Sequence, residues 1–196
     1  MPPFDPARAA AYPIVIGCDE VGRGALSGPV VVAAVWFDPA LLPPEVLGAL
    51  DDSKKLPEPV RNRLAPLIRA HARVALAAGS PALIDRINIR AATLDAMGRA
   101  VRKLGIDAPV FVDGRDALPG LPGRAVIGGE RLVPQIAAAS IVAKVMRDAF
   151  MRRLAKHHPG YGWERNVGYG TALHRAGLAT LGRSVHHRVS FTRTFG

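Results

Sequence analysis

The chain has 196 residues, 49% of them hydrophobic, with 26 basic against 16 acidic side chains and a formal net charge of +10. That length suits one domain with a sizeable core, and the positive balance suits a polyanionic partner such as a nucleic acid. A lone cysteine, Cys18, excludes an intrachain disulfide, no apolar run is long enough to span a bilayer, and there is neither a Cys/His zinc pattern nor a P-loop.

Residues 1–11 read as a flexible Pro/Ala-rich tail without the basic start and apolar core of a signal peptide, so a cytoplasmic compartment is expected. Residues 12–196 read as the folded domain. The β-branched run Ile14-Val15-Ile16 predicts a first strand over 12–19, ending in Asp19-Glu20 and followed by Gly22-Arg23-Gly24. Gly28-Pro29 breaks the chain, and residues 30–37 form a second apolar strand, so a hairpin-like pair with Gly-Arg-Gly in its connection is expected. Residues 39–56 are loop and short helix, including Asp51-Asp52-Ser53-Lys54-Lys55-Leu56. A helix over 60–70 is entered through Pro57 and Pro59, and 72–78 is a third strand. Ser80 is placed to cap a short helix with Pro81 in its first turn. Residues 89–104 have helical spacing, with Ala91, Leu94, Met97 and Val101 on one face and Gly105 as the stop.

Val110-Phe111-Val112 predicts a short buried strand ending in Asp113-Gly114, and 124–127 a fifth strand followed by Gly128-Gly129-Glu130. The longest helix spans 136–157, and Pro159-Gly160-Tyr161-Gly162 breaks it. A C-terminal extension from about residue 160 carries a further helix over 171–181. The pattern is an α/β mixture with no internal repeat.

One grammar recurs at three strand ends: an apolar run, then an acid, at Asp19-Glu20, Asp113 and Glu130. Each alone reads as a turn residue. Together they can converge, because sites of α/β folds assemble at strand carboxyl ends. Hard carboxylate oxygens suit Mg2+ or Mn2+, and two such ions suit phosphodiester hydrolysis. Adjacent Asp19 and Glu20 face opposite ways on an ideal strand, so sharing a site requires the strand to end or twist there. Gly22-Arg23-Gly24 offers open backbone N–H groups and a guanidinium to a phosphate.

These blocks resemble the type 2 ribonucleases H, specifically bacterial ribonuclease HII. The matching stretches, in order, are Gly17 to Gly24, Asp52 to Leu56, Ile84 to Ile89, Val112-Asp113-Gly114, Ala137 to Asp148, Asn166 to Thr171, and His187 to Phe191. The resemblance implies an RNase H-like fold, a mixed five-stranded sheet flanked by helices, with a helical C-terminal segment. It implies cleavage of RNA in RNA–DNA hybrids and incision 5′ of single ribonucleotides in duplex DNA, leaving 3′-hydroxyl and 5′-phosphate ends. A monomer without membrane association is expected.

Carried over by position, the catalytic and metal-binding acids are Asp19, Glu20, Asp113 and Glu130, with two Mg2+ or Mn2+ ions. At Glu130 the family has an Asp, so this chain departs by one methylene; Asp148 is the competing fourth acid. Gly22, Arg23 and Gly24 match the family's reader of the ribonucleotide, and Tyr169 matches the aromatic that stacks on the sugar of the next, deoxy nucleotide. Lys54, Lys55 and Lys144 are assigned to substrate phosphates, and some of Lys144, Arg147, Arg152 and Arg153 to tracking the DNA strand. His157-His158 and His186-His187 read as surface or substrate-side residues, and Trp36 and Trp163 as packing groups. The tail Phe191-Thr192-Arg193-Thr194-Phe195 is a weak match to a replication-clamp contact, its plainer reading being a segment folded on the body. Ribonuclease HIII, which carries an extra N-terminal domain, and a non-catalytic nucleic-acid binder in which the fourth acid has drifted are the rival readings.

Overall fold

The computed structural model describes residues 3–195. Its strands are β1 (Ile16–Val21), β2 (Val30–Trp36), β3 (Arg73–Gly79), β4 (Val110–Asp113) and β5 (Gly123–Val126), in one sheet of order β3-β2-β1-β4-β5. The α-helices are α1 (Pro44–Leu47), α2 (Glu58–His71), α3 (Pro81–Ile87), α4 (Ile89–Leu104), α5 (Pro134–His157), α6 (Trp163–Asn166) and α7 (Ala172–Leu181). The pairs β1–β2 and β2–β3 are antiparallel, and β1–β4 and β4–β5 parallel, giving the mixed sheet.

Both faces of the sheet are covered, which is why β2 is an unbroken apolar run, Val-Val-Val-Ala-Ala-Val-Trp. Alternate residues divide it: Ala33 and Val35 pack with α2 and α5, and Val32 and Ala34 with α4. On β1 the same alternation sends Ile16 and Cys18 toward α4. Gly17 faces α5, whose first turn lies so close that a Cβ there would sit 2.2 Å from the Gln135 carbonyl carbon. The fully buried Ala137-Ala138-Ala139 keeps α5 slim enough for that approach.

Several boundaries move for identifiable reasons. Strand β1 begins at Ile16 rather than 12, since Pro13 has no N–H for a ladder and its carbonyl accepts from Gln135 Nε2 at 2.9 Å. It also runs on to Val21, so Asp19 and Glu20 lie within it, paired with Ala33 and Val32. Helix α4 keeps its expected limits, with Gly105 left-handed at the C-cap, but its buried stripe centres on Ala92, Ala96 and Ala100, not on Ala91 and Leu94. Ser80 caps α3 through Leu83 N, with Pro81 in the first turn.

The segment expected as a flexible tail is folded from Pro3 on. Phe4 is buried against the α5 side of the core and meets Tyr12 edge-on, and a 3-10 turn spans Pro6–Ala11. Its apolar ring was the signal; the Pro/Ala composition masked it. The C-terminal segment returns beneath the β1–β2 connection, where Ser27 and His187 form an isolated bridge and Gly28 N donates to His186 O.

Candidate active site

Asp19 faces α5, as Gly17 does, and is almost fully buried. Its Oδ1 accepts the Glu20 N–H at 2.7 Å. Burial, with the charges of Glu20 and Asp113, pushes its pKa well above the usual carboxylate range, against the pull of the Ser140 hydroxyl and the Glu20 N–H. Glu20, on the other side of the strand, is held by Arg23 Nη1 at 3.2 Å. Asp113 ends β4, and its Oδ1 accepts from Gly129 N at 2.8 Å. That bond draws the turn after β5 over the site and delivers Glu130, on the short 3-10 turn Gly129–Arg131. Glu130 is raised by burial and by its carboxyl–carboxyl contact with Asp113, and its Oε2 is buried without a hydrogen-bond partner.

The structure thus gathers Asp19, Glu20, Asp113 and Glu130 at one corner of the sheet. Asp148 is elsewhere, in an ion pair with Lys144 at 3.0 Å one helical turn away. Among the described residues no three of these acids stand converged as a finished ion cage. Asp19, Glu20 and Asp113 each turn to a separate donor, and Glu130 lies against Asp113. The donor set still fits a hard divalent ion. It is all oxygen, crowded, short of compensating positive charge and contains one orphaned buried oxygen, a group that is costly unless a cation meets it.

Beside the acids opens a cleft of about 440 Å3 lined by Asp19, Glu20, Gly22, Arg23, Gly24, Ser53, Lys54, Ser140, Lys144 and Tyr169. Burial lowers the Lys54 ammonium, but Asp52, Asp19, Glu130 and Asp113 outweigh it and hold the pKa above its ordinary value. Lys55 does not line this cleft and leans on Asp51 at 3.8 Å. The Tyr169 ring lies half-buried over Arg147 and Lys144, 5.5 Å and 6.0 Å from their charged ends.

A family profile for Ribonuclease HII matches residues 16–194. The chain belongs to the ribonuclease HII family. It is a type 2 ribonuclease H, a nuclease of the hydrolase class. It is 55% identical over 181 residues to the Ribonuclease HII of Paramagnetospirillum magneticum, covering 91% of this chain and 90% of that one. Among solved structures it is similar to the RNase HII in the PCNA:RNase HII complex from Archaeoglobus fulgidus, with TM-score 0.75 and 28% identity over 90% of this chain and 94% of that one. The fold is shared with Bst-RNase HIII solved in complex with Mn2+, with TM-score 0.73 and 21% identity over 97% of this chain and 70% of that one.

Some assignments from sequence change. Arg147 is wholly buried and cannot track a DNA strand, and Arg152 is paired with Glu58 at 2.7 Å. His187 is buried too, not a surface residue. Its Nδ1 accepts from Ser184 N at 2.9 Å, and its Nε2 lies 3.1 Å from His174 Nε2, which also accepts from Trp163 Nε1. His174 Nδ1 in turn meets the Tyr169 carbonyl at 3.0 Å. Phe191, one of the two tail aromatics, packs against the body near Ile84 and Ala92, while the side chain of Phe195 falls outside the described residues. Sequence reading also passed over Ser53 and Ser140 as site residues, although their hydroxyls bond at 2.7 Å in the cleft wall. Their place inside the Asp-Ser-Lys-Lys block and the Ala-rich helix was the available signal.

Proposed function

We propose that the chain hydrolyses RNA in RNA–DNA hybrids and incises 5′ of single ribonucleotides in duplex DNA, using two divalent ions held by Asp19, Glu20, Asp113 and Glu130. The carrying observation is the under-compensated carboxylate corner, with Glu130 Oε2 orphaned, opening directly onto the cleft that presents Gly22-Arg23-Gly24. When bound, Mg2+ or Mn2+ supplies Lewis-acid chemistry: an activated water for attack and charge neutralisation at the leaving 3′-oxygen. The protein's part is orientation. The Glu20 N–H fixes the Asp19 carboxylate and Gly129 N fixes Asp113. Glu130, one methylene longer than the family's Asp, reaches Asp113 from the turn after β5, which favours it over Asp148 as the fourth acid.

In this reading Gly22, Arg23 and Gly24 bind the ribonucleotide. The N–H groups of Arg23 and Gly24 meet no acceptor among the described residues, which leaves them for a 2′-hydroxyl or phosphate oxygen. Tyr169, braced on two cations, offers a flat face to the sugar of the following deoxynucleotide. Lys54 and Lys144 meet phosphates from the cleft wall, and Lys55 from its exposed rim. The test is a duplex with one embedded ribonucleotide, incubated with Mg2+ or Mn2+. Incision 5′ of that residue, leaving 3′-hydroxyl and 5′-phosphate ends, is expected; binding without cutting in either metal would sink the reading.

A further inference from the structure

The β1–β2 connection, residues 22–29, carries the Gly-Arg-Gly turn yet has no helix and only one isolated bridge. Its carbonyls are taken up by two buried guanidiniums. Arg188 Nη2 donates to Gly22 O at 2.7 Å, its Nη1 to Arg23 O at 2.8 Å and its Nε to Gly28 O at 3.0 Å. Arg147 donates from Nη2 to Ser27 O at 3.1 Å, from Nε to Pro29 O at 2.9 Å, and from Nη1 to Val167 O at 2.8 Å. Both side chains are 0% exposed, and neither has a carboxylate partner. A Cβ at Gly22, where φ is +88°, would lie 2.1 Å from Arg147 Nε, so the turn lies flat on that guanidinium.

Burying an arginine without an acid is expensive, and burial together with the Arg147 charge pulls the Arg188 pKa down to about 9. A planar fork with fixed donors is the side chain that can hold several carbonyls in a set relation. Arg188 is itself anchored: Asp85 accepts from Val189 N and Ser190 N at 2.9 Å each, pinning the segment to α3. Every hydrogen bond of the Arg188 guanidinium goes to the connection, and two of the three go to the carbonyls of Gly22 and Arg23.

We propose that Arg188 is a positioning residue for substrate selection: it clamps the Gly22 and Arg23 carbonyls inward so that the turn presents its N–H groups to the cleft in the one shape that distinguishes a ribonucleotide from a deoxynucleotide. The inference rests on the reading of Gly22 to Gly24 as the ribonucleotide contact. Loss of the clamp therefore costs discrimination before it costs affinity for duplex.

The test measures binding, without divalent metal, to a plain DNA duplex and to the same duplex with one ribonucleotide, and in parallel kcat/KM for incision. Arg188→Ala and Arg188→Lys are compared with wild type and with Leu47→Ala, a buried-core change in α1 whose cluster contains no residue of the turn. The expected result is a collapse of the ribose preference toward unity in both Arg188 variants and a loss of about 100-fold in kcat/KM. Plain-DNA affinity stays within about twofold, and Leu47→Ala keeps the preference at an equal loss of melting temperature. Millimolar guanidinium should restore the preference to Arg188→Ala alone. If Arg188→Ala does not fold, Arg188→Lys, which keeps charge and stem but not the fork, decides the matter. An unchanged preference in the folded Arg188 variant, with wild type discriminating, overturns the inference. Absence of a preference in wild type instead overturns the reading of Gly22 to Gly24.

Discussion

Two charged regions meet at the cleft, and they are built on opposite terms. At the carboxylate corner, Asp19 and Glu130 are buried among other acids with too few donors, and one oxygen has none. Beneath the Gly-Arg-Gly turn, Arg147 and Arg188 are buried without acids, but every guanidinium nitrogen of each donates to a backbone carbonyl. The first region is electrostatically unfinished and calls for a cation from outside. The second is complete and acts as scaffold. On the proposed reading, the groups assigned to chemistry are left short of partners, and the groups assigned to holding shape have a partner at every nitrogen.

The largest effect should come from removing a charge in the unfinished region. Asp19→Asn should lower cleavage by about 10³-fold, as for a lost electrostatic contact in the transition state, while leaving substrate binding largely intact. In metal-free buffer the same change relieves crowding and should raise the melting temperature, by about 2–4 °C for each kcal/mol gained in a chain of this size. A lower melting temperature together with retained turnover would mean that Asp19 is an ordinary core residue.

Next in size is the response to the cation itself. Mg2+ or Mn2+ at a hundredfold excess over its dissociation constant should stabilise the wild-type protein by about 2.7 kcal/mol. Asp19→Asn combined with Asp113→Asn should abolish that shift, as thermal melting with and without chelator would show. An undiminished shift in the double variant would place the ion elsewhere.

The scaffold side should break with acid. Burial, and secondarily the neighbouring His174, hold the His187 pKa down to about 4, and burial lowers His174 as well. The unfolded state takes up protons near pH 6.5, before the folded state does. Stability is therefore fully present above pH 6.5 and is lost as pH falls toward 4, at up to about 1.4 kcal/mol per pH unit for His187. Melting temperatures at pH 7.5, 6 and 5 test this, and His187→Gln should flatten the profile. The smallest effect is expected at Tyr169→Ala, which should weaken single-ribonucleotide incision about tenfold more than cutting of long hybrids, the order of one lost stacking contact. Equal losses on both substrates would remove it from junction reading.

What was legible in the sequence follows from which partners a residue uses. Helix α4 could be bounded to the residue because its stop, Gly105, is local, and the start of α3 because its cap, Ser80, is. The four acids could be named as a set because each follows an apolar run and the family resemblance carries them over by position, whereas the neighbouring of β1, β4 and β5 that brings them close is written in no local pattern. Arg188 and Arg147 were not recognised as a pair, since their acceptors are carbonyls, which every residue carries and no pattern marks. His187 was misplaced for a related reason: its partner His174, 13 positions away, becomes a neighbour only when α7 folds back over Trp163. Phe4 was lost to a composition that mimics disorder.

The clamp on Arg23 spans 165 positions of the chain. Arg188 follows all five strands in the chain, so during synthesis the sheet and its acids leave the ribosome before the guanidinium that holds the Gly22 and Arg23 carbonyls. The turn therefore takes its shape from a contact that can form only after the strands on either side of it have been made.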